Sequence, residues 1–352
     1  MNPLFLTRLG LGAALLLNAA GASAQSIYLD IGSAQVGAPS PAYGAAAGTP
    51  GHWNLVDSLI SPGPFPLVDT SGTPTAATVT LPSGGALYYF GVPCLQGDDD
   101  LLLRDLQDPL SGGDYIIDGL SDGPYTVITY AYDPGVPTFE TEVRVVGATE
   151  LPQDVGDTTF WCSLMAHGYL VTYALHTVDV VGGRLEVQCR QGDEPFGACN
   201  GIQILQGQGL VNPGTSYCTA APNSTGTVGA LSARGLGTAA GNYLTLLASD
   251  LPGGGFGIFI ASRLQAFLPG AGGTSNGNLC LGGQIDRFAR PGEILATGSS
   301  GGFELALDLG NFPNGSSSIA VLRGDTWNFQ AWHRDPGGLG SNYTAGLSIN
   351  FE

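Results

Sequence analysis

The sequence predicts an all-β protein of two β-sandwich, jelly-roll-like domains joined by a short Gly/Pro linker. Three observations carry this. First, 56 Gly and 23 Pro make 79 turn formers among 352 residues, nearly double the average usage of about 12%. Such a chain cannot sustain long helices, yet its 43% apolar content, with 14 Phe, 13 Tyr and 4 Trp, is enough to bury cores and excludes a disordered linker. Second, apolar residues recur at a period of two, which is the pattern of half-buried strands. Third, no segment carries a helical period of convincing length.

Taken in chain order, residues 1–24 read as an export signal. Arg8 supplies the positive start, residues 9–20 the apolar stretch, and Ala22-Ser23-Ala24 the small-residue cleavage site, so Gln25 is the expected mature N-terminus. No later segment offers the roughly 18 uncharged apolar residues of a membrane span. The expected product is therefore secreted, extracellular or at the cell surface, without membrane insertion.

In residues 25–205, Ile27, Leu29 and Ile31 share one face. Thr141, Val143 and Val145 face inward while Glu140, Glu142 and Arg144 face outward, and Leu185, Val187 and Cys189 oppose Arg184, Glu186 and Gln188. Residues 125–132 and 169–181 are longer β-branched and aromatic runs, suited to the centre of a sandwich. The connections 37–51 and 61–76 are too long for hairpin turns, and long loops on a β scaffold are where binding resides. Residues 206–216 form the linker. In residues 217–352, Phe303, Leu305, Leu307 and Leu309 alternate with Glu304, Ala306 and Asp308, and Leu347, Ile349 and Phe351 form a closing strand.

Charge separates the two domains. The chain has 29 acidic residues against 11 basic ones, all of them Arg, for a net charge of −18. Residues 25–205 hold 21 acids and 4 Arg, whereas residues 206–352 hold 8 acids and 6 Arg. The field of the first domain excludes nucleic acid and anionic membrane as partners, and it repels sulfated or uronic polysaccharides unless a cation bridges them. Solubility in a salty medium accounts for the same acidity equally well.

All six Cys lie after the export signal, in a context that favours disulfides. The domain split pairs Cys218 with Cys280 and leaves three pairings open among Cys94, Cys162, Cys189 and Cys199. The favoured one joins Cys189 to Cys199 and, by remainder, Cys94 to Cys162.

The order Tyr28-Leu-Asp-Ile-Gly32, Pro50-Gly-His-Trp-Asn54, Tyr115-Ile-Ile-Asp-Gly-Leu120, Gly123-Pro-Tyr-Thr-Val127 and Asn200-Gly-Ile-Gln-Ile204 resembles malectin-like and galactose-binding-like β-sandwich modules of secreted bacterial proteins. The resemblance implies a jelly roll and, by analogy, carbohydrate binding. Residues 217–352 resemble a C-terminal module of unassigned activity found at the ends of secreted bacterial proteins. The matching pieces are Tyr217-Cys-Thr-Ala-Ala-Pro-Asn-Ser224, Asn278-Leu-Cys-Leu-Gly-Gly283, Thr326-Trp-Asn-Phe-Gln-Ala-Trp332 and Ser341-Asn-Tyr-Thr344. That match supports secretion and the Cys218–Cys280 pairing.

Two constellations bear on function. Asp98, Asp99, Asp100 and Asp105 offer closely spaced hard oxygens of the kind Ca²⁺ takes, against the alternative of a solvated acidic loop. Trp53, Tyr130, Tyr132 and Trp161 are the candidate aromatic platform for a sugar face, with core packing as the competing role. Catalytic signals are poor, since Gly298-Ser-Ser-Gly-Gly302 fits a nucleophile motif only formally, in a turn before a strand. The expected function is non-catalytic binding of neutral glycans or cell-surface polysaccharide, with Ca²⁺ as the candidate cofactor. A structural or envelope-associated protein is the rival, and a polysaccharide-degrading enzyme comes third.

Overall fold

The structure is a computed structural model that describes residues 25–57, 62–83, 86–89, 91–108, 112–136, 138–156, 161–164, 167–192, 196–207, 213–336 and 339–351. The predicted export signal over 1–24 and residues 208–212 of the predicted linker lie outside the described residues. The fold is all-β and multi-sheet, as predicted.

The first lobe runs through β1 (Ile27–Gly32), β2 (Trp53–Asp57), β3 (Phe65–Val68), β4 (Pro74–Thr80), β5 (Ala86–Tyr89), helix α1 (Gly97–Leu103), β6 (Asp105–Asp108), β7 (Gly113–Asp118) and β8 (Gly123–Tyr130). It continues through β9 (Thr141–Val145), β10 (Gln153–Val155), the short helix α2 (Trp161–Leu164), β11 (Tyr173–Val180), β12 (Arg184–Gln191) and β13 (Gly201–Gln206). A five-stranded sheet, β11-β8-β13-β1-β2, packs against a six-stranded sheet, β10-β9-β12-β7-β4-β3. Their shared core takes Ile27, Leu29 and Ile31 from one side and Val143, Val145, Leu185 and Val187 from the other. These are the residues that the period of two assigns inward. The stretch 61–76, expected as an open connection, instead contains the β3–β4 hairpin on the edge of the six-stranded sheet.

The five-stranded sheet is covered on its outer face as well. Tyr28, Trp53, Ile128, Tyr130, Tyr173 and Leu175 form a second buried cluster there, beneath Leu102 and Leu103 of α1. Helix α1 escapes a reading by periodicity because it has only seven residues. Its first turn holds Asp98, Asp99 and Asp100, where negative charge complements the amino end of a helix. A disulfide between Cys94 and Cys162, with Cα atoms 5.3 Å apart, ties the segment before α1 to α2.

In the second lobe, strands Thr215–Tyr217, Gly346–Asn350, Thr326–Arg334, Phe256–Ser262 and Asp286–Arg287 form one sheet in that order. It packs on a three-stranded sheet of Ala230–Gly235, Leu244–Ser249 and Phe303–Leu307 around Leu246, Phe259, Phe303, Trp327 and Phe329. Cys218 and Cys280 are bonded, with Cα atoms 6.2 Å apart. The lobes touch through a bond of 2.8 Å from the Thr238 hydroxyl to the Ala46 carbonyl and through the rings of Tyr169 and Tyr243, 4.2 Å apart. Gly241 permits this approach, because a Cβ there would lie 2.8 Å from the Ala46 carbonyl oxygen.

The expected Cys189–Cys199 disulfide is not formed; both are free, buried thiols. Cys189 sits in β12 and Cys199 just before β13, so the two come from opposite sheets and meet in the core between them. A hydrogen bond with Cys199, followed by burial, pushes the Cys189 thiol well above its ordinary pKa, so it stays protonated.

Candidate functional site

The structure gathers the aromatic residues singled out in the sequence, but as a core. Trp53, Tyr130, Tyr132 and Trp161 are each 3% exposed or less, so none can present a ring face to a sugar. The outer face of their sheet is covered, which alternation along a strand does not reveal. Trp53 lies 5.1 Å from the Tyr28 ring, its indole N–H donates to the Tyr43 carbonyl at 3.1 Å, and Trp161 packs edge-on against His167 at 5.6 Å.

The four aspartates do not converge either. Asp98 accepts from the Ser40 N–H at 2.7 Å and from its hydroxyl at 2.8 Å. Asp99 accepts from the Tyr43 hydroxyl, and Asp100 pairs with Arg104. Asp105 lies apart and accepts from the Ser33 N–H at 2.7 Å. Successive residues of a helical turn point about 100° apart, so Asp98, Asp99 and Asp100 reach three different partners. Among the described residues no group of three or more His, Cys, Asp or Glu could hold a metal ion. The four carboxylates of this set thus point to separate partners and form no single cluster.

What these residues build is a closed hydrogen-bonded set beside the cleft between the lobes. Tyr43 Oη lies 2.7 Å from His167 Nε2, His167 Nε2 lies 3.4 Å from Asp99 Oδ1, and His167 Nδ1 lies 3.3 Å from the Thr172 hydroxyl. Burial alone would raise the Asp99 pKa, but bonds from His167 and Tyr43 hold it below the usual carboxylate value. Burial and the neighbouring Asp99 raise Tyr43, so its hydroxyl is a donor and not a nucleophile. Each member is satisfied by another. The set fastens loop 43–48 to α1 on the wall of a cleft of about 550 Å³.

Asp105 has a different consequence. Burial, opposed by backbone N–H groups, lifts its carboxyl from 3.8 to about 6, and the room it occupies exists only because residue 32 is Gly, where a Cβ would meet its Oδ1 at 2.6 Å. The folded state thus holds the proton more tightly than the unfolded chain. This contribution is complete below about pH 4 and is lost as pH rises through 6. Asp105→Asn should therefore raise the melting temperature at pH 7.5, relieving roughly 2–3 kcal/mol, and give no gain at pH 4. Thermal melts at the two pH values check this; an equal gain at both would contradict it.

The exposed aromatic residues of the first lobe lie elsewhere, at one end of the sandwich. The antiparallel pairing of β5 with β6 brings Tyr88 opposite Leu106. The turn Asp133-Pro134-Gly135 follows β8, with Asp133 Oδ1 accepting from the N–H groups of Gly135 at 2.8 Å and Val136 at 2.9 Å. Phe139 precedes β9, and its ring lies 5.1 Å from that of Phe196. The segment carrying Phe196 is held by a bond of 2.7 Å from the Ala198 N–H to the Thr141 hydroxyl. Cys199 in turn exchanges two backbone bonds of 2.9 Å with Gln107 of β6.

Together Tyr88, Phe139, Phe196, Asp108 and Asp133 line a pocket of about 290 Å³. Tyr88 and Phe196 are 39% and 40% exposed, whereas Asp108 and Asp133 are buried. Burial raises the Asp133 carboxyl above the ordinary range against two backbone bonds that lower it, and its buried Oδ2 has no hydrogen-bond partner among the described residues. Partly exposed ring faces form an arrangement that takes the C–H face of a sugar, and the buried Asp133 carboxyl fixes the turn behind them. Reasoning from the sequence missed these residues. The available signals were two separate pieces of turn chemistry, Asp133-Pro134-Gly135 and an aromatic residue in Pro195-Phe196-Gly197, which only the fold brings together.

No family model and no curated protein sequence matches the chain. Among solved structures, the ANX2 ectodomain from Arabidopsis thaliana is 11% identical with a TM-score of 0.37, over 92% of this chain and 96% of that one. Protein YXIM from Bacillus subtilis is 13% identical with a TM-score of 0.30, over 55% of this chain and 46% of that one. A calcium-binding mutant of beta-glucuronidase 2 from Bacteroides uniformis is 13% identical with a TM-score of 0.31, over 51% of this chain and 18% of that one. The chain thus spans less than half the length of the last two. Similarity of this degree concerns β architecture and carries no argument about a ligand. No described helix is long and apolar enough to cross a membrane.

Proposed function

We propose that this chain is a secreted, non-catalytic carbohydrate-binding protein whose first, malectin-like lobe takes a neutral sugar unit in the pocket of Tyr88, Phe139, Phe196 and Asp133. The observation that carries the reading is the convergence of partly exposed rings on the buried carboxyl of Asp133. Neutrality of the ligand follows from charge. With 21 acids and 4 Arg in residues 25–205, and two carboxyl side chains lining the pocket, an anionic sugar meets repulsion at long and short range.

The test is affinity electrophoresis of the full chain through gels containing galactomannan, mixed-linkage β-glucan, xylan or starch. Retardation in at least one gel is expected, and Phe196→Ala should migrate as in an empty gel while keeping the parent melting temperature. Absence of retardation throughout would favour the structural, envelope-associated reading. Release of reducing sugar from the retarding polysaccharide would replace binding with hydrolysis.

A further inference from the structure

The second lobe carries a groove that the proposed sugar pocket does not use. On strands Phe256–Ser262 and Thr326–Arg334, the residues Phe259, Ala261, Trp327, Phe329 and Ala331 point into the core. Their alternates point to the opposite face of the sheet. Part of that face is covered by the hairpin of Leu264–Leu268 and Leu279–Gly282, whose Cys280 N–H donates to Gln330 Oε1 at 2.9 Å. Beyond the hairpin the face is open. There Ile258, Ile260, Trp332, Tyr343 and Arg287 line a groove of about 480 Å³ in which no acidic side chain takes part.

Trp332 is half-buried, cross-strand from Tyr343. At the rim Phe256 is 41% exposed, and the Arg334 guanidinium stands 5.4 Å from the centres of both the Phe256 and Trp332 rings. Among the described residues Arg287 and Arg334 form no ion pair, a state they share with Arg144, Arg290 and Arg323, whereas Arg104, Arg184, Arg190, Arg234 and Arg263 are paired. What sets these two apart is their place: Arg287 lines the groove with Trp332 and Arg334 stands at the Trp332 ring, in a chain of net charge −18. A planar guanidinium recognises a carboxylate through two parallel bonds, and an indole face takes the C–H face of a pyranose.

We infer that this groove is a second carbohydrate site and that its ligand is a carboxylated sugar, a hexuronate unit whose carboxylate pairs with Arg287 while its ring lies on Trp332. The two lobes then sort sugars by charge: the acidic lobe takes neutral units and the near-neutral lobe takes acidic ones. The inference does not depend on the sugar pocket of the first lobe.

The experiment is calorimetric titration of the full chain with trigalacturonate and with its methyl ester, which keeps the rings and removes the charge. Both Arg287→Gln and Trp332→Ala change residues outside the core, and thermal melts verify their folding. Trigalacturonate should bind the parent, about tenfold or more tightly than the ester, and Arg287→Gln should lose that margin. Trp332→Ala should abolish binding, and Phe196→Ala should leave it unchanged. Equal affinity for acid and ester, affinity unaltered in Arg287→Gln, loss in Phe196→Ala, or no binding by the parent would each overturn the assignment.

Discussion

Trp53→Ala should destabilise the protein by about 4 kcal/mol, the cost of truncating a large aromatic side chain in a packed interior. Trp53 is 3% exposed and lies among Tyr28, Tyr43 and Tyr130 at ring separations of 5.1, 5.9 and 6.4 Å. Removing the indole also leaves the Tyr43 carbonyl without its donor, beside the hydrogen-bonded set of Tyr43, His167 and Asp99. Urea unfolding of the variant should show a lower midpoint at a similar slope. Trp53→Phe, which keeps a ring, should recover most of the loss. A stable Trp53→Ala protein with weakened sugar binding would return Trp53 to the role of ligand platform that its sequence position suggests.

Removal of the Cys94–Cys162 bridge by the double substitution Cys94→Ser and Cys162→Ser is the second large effect. The bond closes a loop across 68 positions, and the chain-entropy relation assigns such a loop about 4 kcal/mol. The bridge fastens the segment before α1, which covers the outer face of the five-stranded sheet, to the α2 segment carrying Trp161. Its loss should therefore lower the unfolding midpoint and loosen the aromatic cluster, visible as reduced near-ultraviolet circular dichroism. An unchanged midpoint would show that this cover holds without the bridge.

The strands were legible wherever one face is buried and the other wet. Thr141, Val143 and Val145 alternate with Glu142 and Arg144 in the sequence and in the sheet alike. The aromatic cluster was not legible, for a physical reason. Trp53 opens β2, which pairs in parallel with β1 through Tyr28; pairing of this kind is non-local, and nothing in Pro50-Gly-His-Trp announces it. Tyr130 and Tyr132 share a strand face, but whether that face meets solvent depends on α1 lying over it. The aspartate run misled in the same way: three carboxyls adjacent in sequence diverge once the backbone turns into a helix. The pocket of Tyr88, Asp133, Phe139 and Phe196 draws on four separate segments, and only the fold brings them together.

The proposed sugar binding rests on one site, the pocket onto which the partly exposed rings of Tyr88 and Phe196 open. Titration of the full chain with the neutral oligosaccharide whose polymer retards it most tests this directly, comparing the parent with Tyr88→Ala and Phe196→Ala. Phe196→Ala should lose binding through the missing ring, and Tyr88→Ala should weaken it about tenfold, each at an unchanged fold by circular dichroism. Parent-like affinity in both variants would contradict the account and place the sugar elsewhere.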